Sequence, residues 1–300
     1  MNNILEYYYN LKNIEIIKLE DNYLIFDENN KSYLFIKYNS NININNILNI
    51  ENNIKNSKYF SIIKNINNLY ITIFEKDKYV LLLTKGILNE ELHIYDLVNN
   101  NKKYLYLNEN NKYDLVDLWS RKIDYLEYQV SELSKEKKEI VRSFSYFVGM
   151  AENAISFINI NNINFNNIRK SIQHYRIKNN IIVIDYYNIL NTLIDYQIRD
   201  YTEYLKSKIY NNEDILKDLK YILNNANLNE DEIKLLYARM LFPTYYFDDI
   251  EDILLDIKEE KEIEKYVSNI NNYLNALNDI YLEIKKRISI DIPSWIKSHN

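Results

Sequence analysis

The spacing of apolar residues changes near residue 84, and this change limits the possible folds more than any other feature of the chain. Before it, short apolar runs alternate with turn residues. Such runs with tight connections are typical of strands in an antiparallel meander. Five strands are predicted, over residues 14–18, 23–26, 32–38, 69–75 and 79–84.

One helix is predicted among these strands. Ile47, Ile50 and Ile54 recur at steps of three and four, which places them on one helix face within residues 41–58. After residue 84 the same helical spacing dominates, as in the steps between Trp119 and Ile123. Helices are predicted over residues 113–134, 139–158, 198–210, 213–223, 230–242, 245–258 and 262–288.

The chain contains only two glycines, so each position is informative. Gly86 follows the last predicted strand, where a permissive backbone indicates a hinge or turn. We therefore predict a β-rich N-lobe over residues 1–86 and a mainly helical C-lobe over residues 87–300. Gly149 lies inside a predicted helix, where glycine costs about 1 kcal/mol relative to alanine. We expect close packing to require it there.

Two apolar, β-branched runs interrupt the helices. Residues 181–184 and 190–194 flank a polar and aromatic tetrad and predict a small β-hairpin inside the helical lobe. Strands with one helix among them, a hinge, and then a helical lobe with an embedded hairpin follow the order of a kinase-like fold. The predicted class is therefore α+β with two lobes.

The last predicted helix carries heptad spacing over three repeats. A helix packed within the bundle and a coiled coil that forms a homo-oligomer are both compatible with it. Pro293 follows and prevents the helix from continuing. The apolar positions are Ile263, Tyr266, Ile270, Tyr273, Leu277, Ile280 and Ile284.

Composition excludes several classes of protein. The absence of cysteine excludes disulfides, thiolate metal sites and a cysteine nucleophile. The three histidines are widely spaced and form no ligand cluster, so a zinc site is not expected. The net charge of −6 with no long basic run disfavours nucleic-acid binding. The N-terminus lacks the pattern of a signal peptide and the apolar runs are too short to span a bilayer, so we expect cytoplasmic synthesis without membrane insertion. The 30 tyrosines are compatible with codon bias or with a role in crosslinking.

In a kinase-like fold, a strand lysine binds the ATP phosphates. Lys37, at the end of the third predicted strand, can take this role, although a solvent-exposed lysine is the alternative. Glu51 in the following helix is a candidate ion-pair partner and completes the predicted nucleotide-binding pair. No glycine-rich loop precedes Lys37, so the backbone there cannot approach phosphates as closely as such loops do.

His174 begins the segment where a kinase-like fold has its catalytic loop. In sugar and antibiotic kinases this loop carries histidine, a small residue and then the aspartate that acts as base. Arg176 takes the position of that aspartate, and arginine stays protonated at neutral pH. Ile181 takes the position of the metal-binding asparagine. The loop therefore predicts no functional base.

Asp195 ends the second strand of the predicted hairpin, where such folds place the acid that binds magnesium. Capping of the next helix is the alternative role. ATP and magnesium are the cofactors that this residue, Lys37 and Glu51 would hold. Residues 248–252, with four acids, have the composition of a metal site, but acids near a helix start also suit the helix dipole.

Three segments together resemble the spore-coat-associated kinase-like proteins of the YutH and CotS type. They are GMAENAI at 149–155, IRDYTEYLK at 198–206 and LYARMLFPTYYFD at 236–248. The resemblance implies a fold similar to aminoglycoside phosphotransferases. It also implies a protein of spore-forming bacteria, made in the mother cell and associated with the coat, with coat proteins as partners.

The resemblance also implies residue roles. His174 matches the loop histidine, Asp195 the metal-binding acid and Asp200 the buried structural acid of the next helix. Arg176 and Ile181 depart from the pattern of active kinases. We therefore expect a catalytically degenerate pseudokinase that acts as a structural or binding protein. The alternative is an atypical ATP-dependent phosphotransferase acting on a small molecule or a coat protein.

Overall fold

The computed structural model describes residues 1–19, 22–27, 29, 31–40, 42–54, 58–85, 90–103, 105–106, 114–178 and 180–293. The chain divides into two compact units. Unit 1 comprises Met1–Leu92, Ile172–Arg176 and Asn180–Ile194, and unit 2 comprises His93–Ser171, Ile177–Asn179 and Asp195–Asn300. Gly86 lies outside the described residues, and the lobe boundary placed there stays a prediction.

An antiparallel sheet of six strands forms the centre of unit 1. Its strands are Glu15–Leu19 (β1), Asn22–Phe26 (β2), Ser32–Lys37 (β3), Ser61–Ile63 (β4), Thr72–Phe74 (β5) and Asp77–Leu83 (β6). The order is β1-β2-β3-β6-β4, and β5 also pairs with β6. Val80, Leu81 and Leu82 in β6 are fully buried. Burial on both faces explains why this strand is a continuous apolar run.

Two helices pack with this sheet in unit 1. Helix α1 (Asn2–Tyr9) was not predicted, and its Leu5 is buried in a cluster with Phe35 and Leu81. Helix α2 (Ile44–Asn53) confirms the helix predicted between the third and fourth strands. The side chain of Asn43 caps it by accepting a hydrogen bond from the Asn45 N–H.

Unit 2 is mainly helical, as the spacing predicts. The helix Leu115–Leu133 buries one apolar face, which includes Trp119. The ring of Trp119 stacks on that of Phe242, with 4.3 Å between centroids. Among the described residues, no helix is long and apolar enough to cross a membrane. The helices are Ile94–Lys103 (α3), Leu115–Leu133 (α4), Lys138–Ile160 (α5), Arg199–Tyr210 (α7), Leu216–Asn225 (α8), Glu230–Leu241 (α9), Thr244–Leu254 (α10), Glu264–Ser268 (α11) and Ile270–Lys285 (α12).

A three-stranded sheet contains the embedded hairpin, but the first strand of the hairpin is not the predicted one. The sheet order is β7 (Leu105–Tyr106), β8 (Lys170–His174) and β9 (Thr192–Tyr196). The pairing of β8 with β9 is antiparallel, because Tyr175 N–H bonds to Asn191 C=O at one end and Gln197 N–H bonds to Arg169 C=O at the other.

The segment predicted as the first hairpin strand has another structure. Ile182 forms an isolated bridge with Glu91, and Val183–Tyr186 is a short helix (α6). The predicted strand was wrong because short apolar runs do not distinguish a strand from a buried helical turn.

The last predicted helix is divided into three pieces. A 3-10 turn (Glu260–Ile263) precedes α11, and α12 begins after Asn269. The heptad positions Tyr273, Leu277 and Ile284 are buried, and α12 packs against α9, α7 and α8. The apolar stripe is therefore used inside unit 2. A homo-oligomer formed through this helix would need its exposed residues and stays a prediction.

Gly149 has no close packing to explain it. A Cβ built on this residue meets nothing within 4 Å outside its own helix turn. The expected tight contact is therefore wrong.

Candidate functional site

His174 ends β8 and lies inside an aromatic cluster. Its ring centroid is 4.3 Å from that of Tyr186 and 6.1 Å from that of Tyr59. Its Nε2 is 2.8 Å from the carbonyl oxygen of Tyr186. A carbonyl only accepts, so Nε2 carries a proton. This hydrogen bond therefore links His174, at the start of the loop, to Tyr186 further along the chain.

Arg176 and Ile181, which are predicted to depart from the pattern of active kinases, follow His174 in the loop. Arg176 is exposed, and its Nη1 donates to the carbonyl of Tyr175 at 2.7 Å. Ile181 accepts a backbone hydrogen bond from Leu92 at 2.9 Å. Neither a guanidinium nor an aliphatic side chain can act as a base or as a metal-binding amide. That Arg176 and Ile181 take those two positions stays a prediction.

Asp195 lies near the end of β9 with only 1% of its surface exposed. Its Oδ2 accepts hydrogen bonds from Nη1 of Arg199 at 2.7 Å and from Nη2 of Arg239 at 3.2 Å. Its Oδ1 accepts from the N–H of Tyr196 at 2.6 Å. Arg199 and Arg239, called the arginine pair below, come from α7 and α9. Both carboxylate oxygens are therefore engaged.

The charge around this carboxylate is positive. The arginine pair stays protonated, and its side chains are only 15% and 8% exposed. A metal cation would have to displace a guanidinium or approach two positive charges where screening by water is weak. The geometry is that of an anionic link between two helices. Burial and the neighbouring charge of Asp195 also raise the pKa of Tyr196 to about 12.

Asp200 is fully buried in the first turn of α7. An acid there interacts favourably with the partial positive charge of a helix N-terminus. This position suits the structural role that the family resemblance implies.

Lys37 ends β3 and forms an ion pair with Asp77 at 3.0 Å. Both side chains are more than 40% exposed. Because side chains alternate along a strand, Lys37 shares its face with Tyr33 and Phe35, which pack with Leu5 of α1. Binding of ATP phosphates by Lys37 stays a prediction.

Glu51 lies in α2, and its Oε1 accepts a hydrogen bond from the N–H of Ile62 at 2.8 Å. Burial raises the pKa of Glu51, while the Ile62 N–H and the charge of Lys85 act in the opposite direction. The structure thus joins α2 to β4 through this carboxylate. Lys37 pairs with Asp77, and Glu51 accepts a hydrogen bond from Ile62 in β4. A nucleotide-binding role for Glu51 also stays a prediction.

The acidic segment of α10 is bonded to lysines. Asp249 accepts from Nζ of Lys258 and of Lys265, both at 2.7 Å, and from the hydroxyl of Tyr266 at 2.6 Å. Asp252 also pairs with Lys258. Among the described residues, no group of three or more histidine, cysteine or acidic side chains could hold a metal ion. The segment is therefore a network of ion pairs.

Sequence reasoning missed Arg239. It is 44 residues from Asp195 along the chain, and it reaches the carboxylate only because α7 and α9 pack together. The resemblance motif that contains it gave no indication of this partner. Of the two arginines, Arg199 lies four residues after Asp195, so this partner could have been predicted from its spacing along the chain.

Comparison with known proteins identifies the family. The profile of the family described as "Spore coat putative kinase YutH" matches residues 2–285. The chain belongs to this YutH family. A curated relative, the endospore coat-associated protein YutH of Bacillus subtilis (strain 168), is 24% identical over 208 residues. The match spans 60% of the chain and 60% of the length of that relative.

Two solved structures with a similar fold are phosphotransferases. The aminoglycoside phosphotransferase of Alicyclobacillus acidocaldarius superposes with a TM-score of 0.57 and 11% identity, covering 91% of this chain and 92% of that one. The AMP-bound complex of spectinomycin phosphotransferase gives 0.58 and 11%, covering 96% and 98%. Identities this low show the fold alone. They confirm the predicted kinase-like two-lobed α+β fold of this YutH family member.

Proposed function

We propose that this member of the YutH family is a catalytically degenerate pseudokinase that acts as a structural or binding protein of the spore coat. The arginine pair on Asp195 supports the proposal most strongly. In kinase-like folds the corresponding acid holds magnesium between the phosphates. Here the same carboxylate is satisfied by two guanidinium groups. The residues present therefore do not fit a magnesium ion.

The loop after His174 supports the same proposal. Arg176 replaces the base and Ile181 replaces the metal-binding amide. Catalysis of phosphoryl transfer consists mainly of positioning and of charge stabilisation by metal ions. A chain in which Ile181 replaces one metal-binding side chain and two arginines engage the other, Asp195, lacks most of that stabilisation.

Association with the coat is supported by the family and by the name of the Bacillus subtilis relative. Synthesis in the mother cell and binding to coat proteins belong to the same proposal. The protein would then keep the fold of a phosphotransferase and use its surface for binding.

An atypical phosphotransferase acting on a small molecule or a coat protein is the second candidate. The presence of His174 and Asp195 at the ends of β8 and β9 favours it. In this alternative Lys37 would bind nucleotide, and Arg176 would stabilise the transferred phosphate instead of accepting a proton.

Incubation with γ-³²P-labelled ATP, followed by measurement of released and transferred phosphate, separates the two candidates. Magnesium and EDTA samples of the wild type are compared, with Asp195→Asn as the site variant and Asp117→Asn as an exposed control. The pseudokinase proposal predicts the same background in all samples. Turnover that EDTA abolishes, and that Asp195→Asn lowers while Asp117→Asn does not, would establish the phosphotransferase.

A further inference from the structure

A small pocket in unit 2 lies where the end of α7 meets α10 and α11. Its volume is about 190 Å³. We call it the tyrosine pocket, and its lining includes Lys178, Ser207, Tyr210, Tyr245, Lys265 and Tyr266. All of these residues belong to unit 2.

Three tyrosine rings form the walls of the tyrosine pocket. The ring of Tyr210 is 4.9 Å from that of Tyr266 and 6.1 Å from that of Tyr245, measured between centroids, and both pairs are nearly perpendicular. Perpendicular pairs place a ring face beside ring edges, and Tyr210 also stacks on Tyr273 outside the lining, with 5.1 Å between centroids. A planar aromatic ligand can stack on a ring face and contact the ring edges.

Of the three tyrosine hydroxyls in the tyrosine pocket, that of Tyr210 can donate a hydrogen bond to a ligand. Tyr245 bonds to the carbonyls of Ile177 and Glu203 at 2.7 and 3.1 Å, and Tyr266 bonds to the carboxylate of Asp249. In the part of the chain that the structure describes, the hydroxyl of Tyr210 has no hydrogen bond. Burial raises the pKa of Tyr210, so this hydroxyl stays protonated and can donate.

Two lysines, Lys178 and Lys265, line the pocket, and the charges of Glu203 and Asp249 also act on Tyr210. Lys265 is bonded to Asp249 at 2.7 Å and to Glu262 at 3.4 Å, so its charge is compensated. Lys178 is exposed and forms no ion pair with any residue in the described ranges. Its ammonium group is therefore available to an anion.

We propose that the tyrosine pocket binds a small planar anion of the aromatic carboxylate class. The ring would lie against the tyrosines, and the carboxylate would accept hydrogen bonds from Lys178 and Tyr210. Aromatic walls also attract cations, but the uncompensated charge of Lys178 opposes a cationic ligand. Drug-sized ligands occupy about 300–1,000 Å³, so this smaller volume suits a single ring. The proposal is independent of phosphoryl transfer.

Ligand-observed NMR titration of the full chain tests the proposal with three probes of similar size. Benzoate carries the ring and the charge, cyclohexanecarboxylate carries the charge without planarity, and benzylamine carries the ring with the opposite charge. We expect benzoate to bind with a Kd on the order of 1 mM, as suits one ring and one charged contact. Cyclohexanecarboxylate should bind several-fold more weakly, and benzylamine should not bind.

Matched variants assign the binding to the tyrosine pocket. Lys178→Gln should weaken benzoate about tenfold, because a charge-assisted hydrogen bond is lost. Tyr210→Phe should also weaken it about tenfold, because the hydroxyl donates to the charged carboxylate of the ligand. The exposed controls Lys135→Gln and Tyr125→Phe should leave the Kd unchanged.

Three outcomes would overturn the proposal. They are no binding of benzoate, binding of benzylamine as tight as that of benzoate, and benzoate binding unaffected by both Lys178→Gln and Tyr210→Phe. Melting curves of each variant show whether the protein is folded. Tyr210→Phe removes a hydroxyl without a partner in the described structure, so it keeps the test valid if another variant fails to fold.

Discussion

The carboxylate of Asp195 holds two arginines that come from different helices. Arg199 lies in the first turn of α7, and Arg239 lies near the end of α9. Both guanidinium groups are mostly withdrawn from water. The residue therefore links two helices of the same unit, and its loss would leave two buried positive charges without this partner.

Asp195→Asn should lower the free energy of unfolding by about 3–5 kcal/mol, the usual cost of breaking a buried ion pair from one side. Urea denaturation followed by circular dichroism measures it. The control is Asp117→Asn, which breaks the exposed pair with Arg121 and should cost below about 1 kcal/mol. An Asp195→Asn variant as stable as the wild type would show that the arginine pair does not depend on this carboxylate.

Asp249 makes stability depend on pH. Burial alone would raise its pKa, but hydrogen bonds from Lys258, Lys265 and Tyr266 together lower it below the ordinary 3.8. A pKa that is lower in the folded state gives stability that is present above the unfolded pKa and is lost as the pH falls through the folded pKa.

The free energy of unfolding should therefore decrease below about pH 4, partly through this residue. Asp249→Asn, which cannot titrate, should be less stable than the wild type at pH 6, and the difference should narrow toward pH 2. Urea denaturation at several pH values measures it. A difference that stays constant across this range would contradict the assignment.

Residue positions were predictable only where they depend on spacing along the chain. His174, Arg176 and Asp195 were located from their distances to the predicted strands. The Asp195–Arg239 contact was not predictable, because it depends on how α7 and α9 pack. The partner of Lys37 was likewise hidden, since Asp77 belongs to the start of another strand.

At the scale of secondary structure, asparagine takes the positive-φ positions at helix ends that glycine takes in most chains. Helix ends often need a residue with positive φ, and asparagine is the residue besides glycine that adopts it most readily. A chain with two glycines can therefore still end its helices. Positive φ occurs at or just after the ends of α1, α5, α7 and α8, in Asn10, Asn162, Asn212 and Asn227.

Asn10→Gly should stabilise the protein by up to about 1 kcal/mol, because glycine removes the remaining steric cost of a left-handed residue. Asn3→Gly, inside the same helix, should destabilise it by a few tenths of a kcal/mol, roughly the difference in helix propensity. Thermal denaturation of both variants measures the effect. Shifts of the same sign would contradict the explanation.

Gly149→Ala should also stabilise the protein, by about 1 kcal/mol, because alanine favours the interior of α5 and its Cβ meets no atom within 4 Å. The exposed change Glu152→Ala in the same helix is the control and should alter stability by less than about 0.5 kcal/mol. Chemical denaturation gives both values. Destabilisation by Gly149→Ala would mean that the glycine serves a purpose other than packing.

Elements could be predicted where apolar spacing is strong, as in α4, and not where polar residues are buried. All five residues of β8 are buried although four are polar or charged. Ser171 bonds to Asn101 and His174 bonds to Tyr186, so internal hydrogen bonds replace water. A strand of this kind lacks the apolar run that sequence patterns detect.

At the scale of the whole molecule, the fold and the chemistry of phosphoryl transfer are separable. Phosphotransferases superpose over more than nine-tenths of the chain at 11% identity. A fold is maintained by its core, whereas a reaction needs particular side chains in one place. We propose that in this chain those side chains are replaced at Arg176 and Ile181 and engaged by arginines at Asp195.

Melting of the purified protein with and without millimolar ATP and magnesium tests this central claim most directly. A ligand at about 100 times its Kd would add about 2.7 kcal/mol of stability, which a melting curve resolves easily. We predict no magnesium-dependent shift for the wild type or for Asp195→Asn. A clear shift in the wild type that requires magnesium and disappears in Asp195→Asn would contradict the account and show that the site still binds a metal–nucleotide complex.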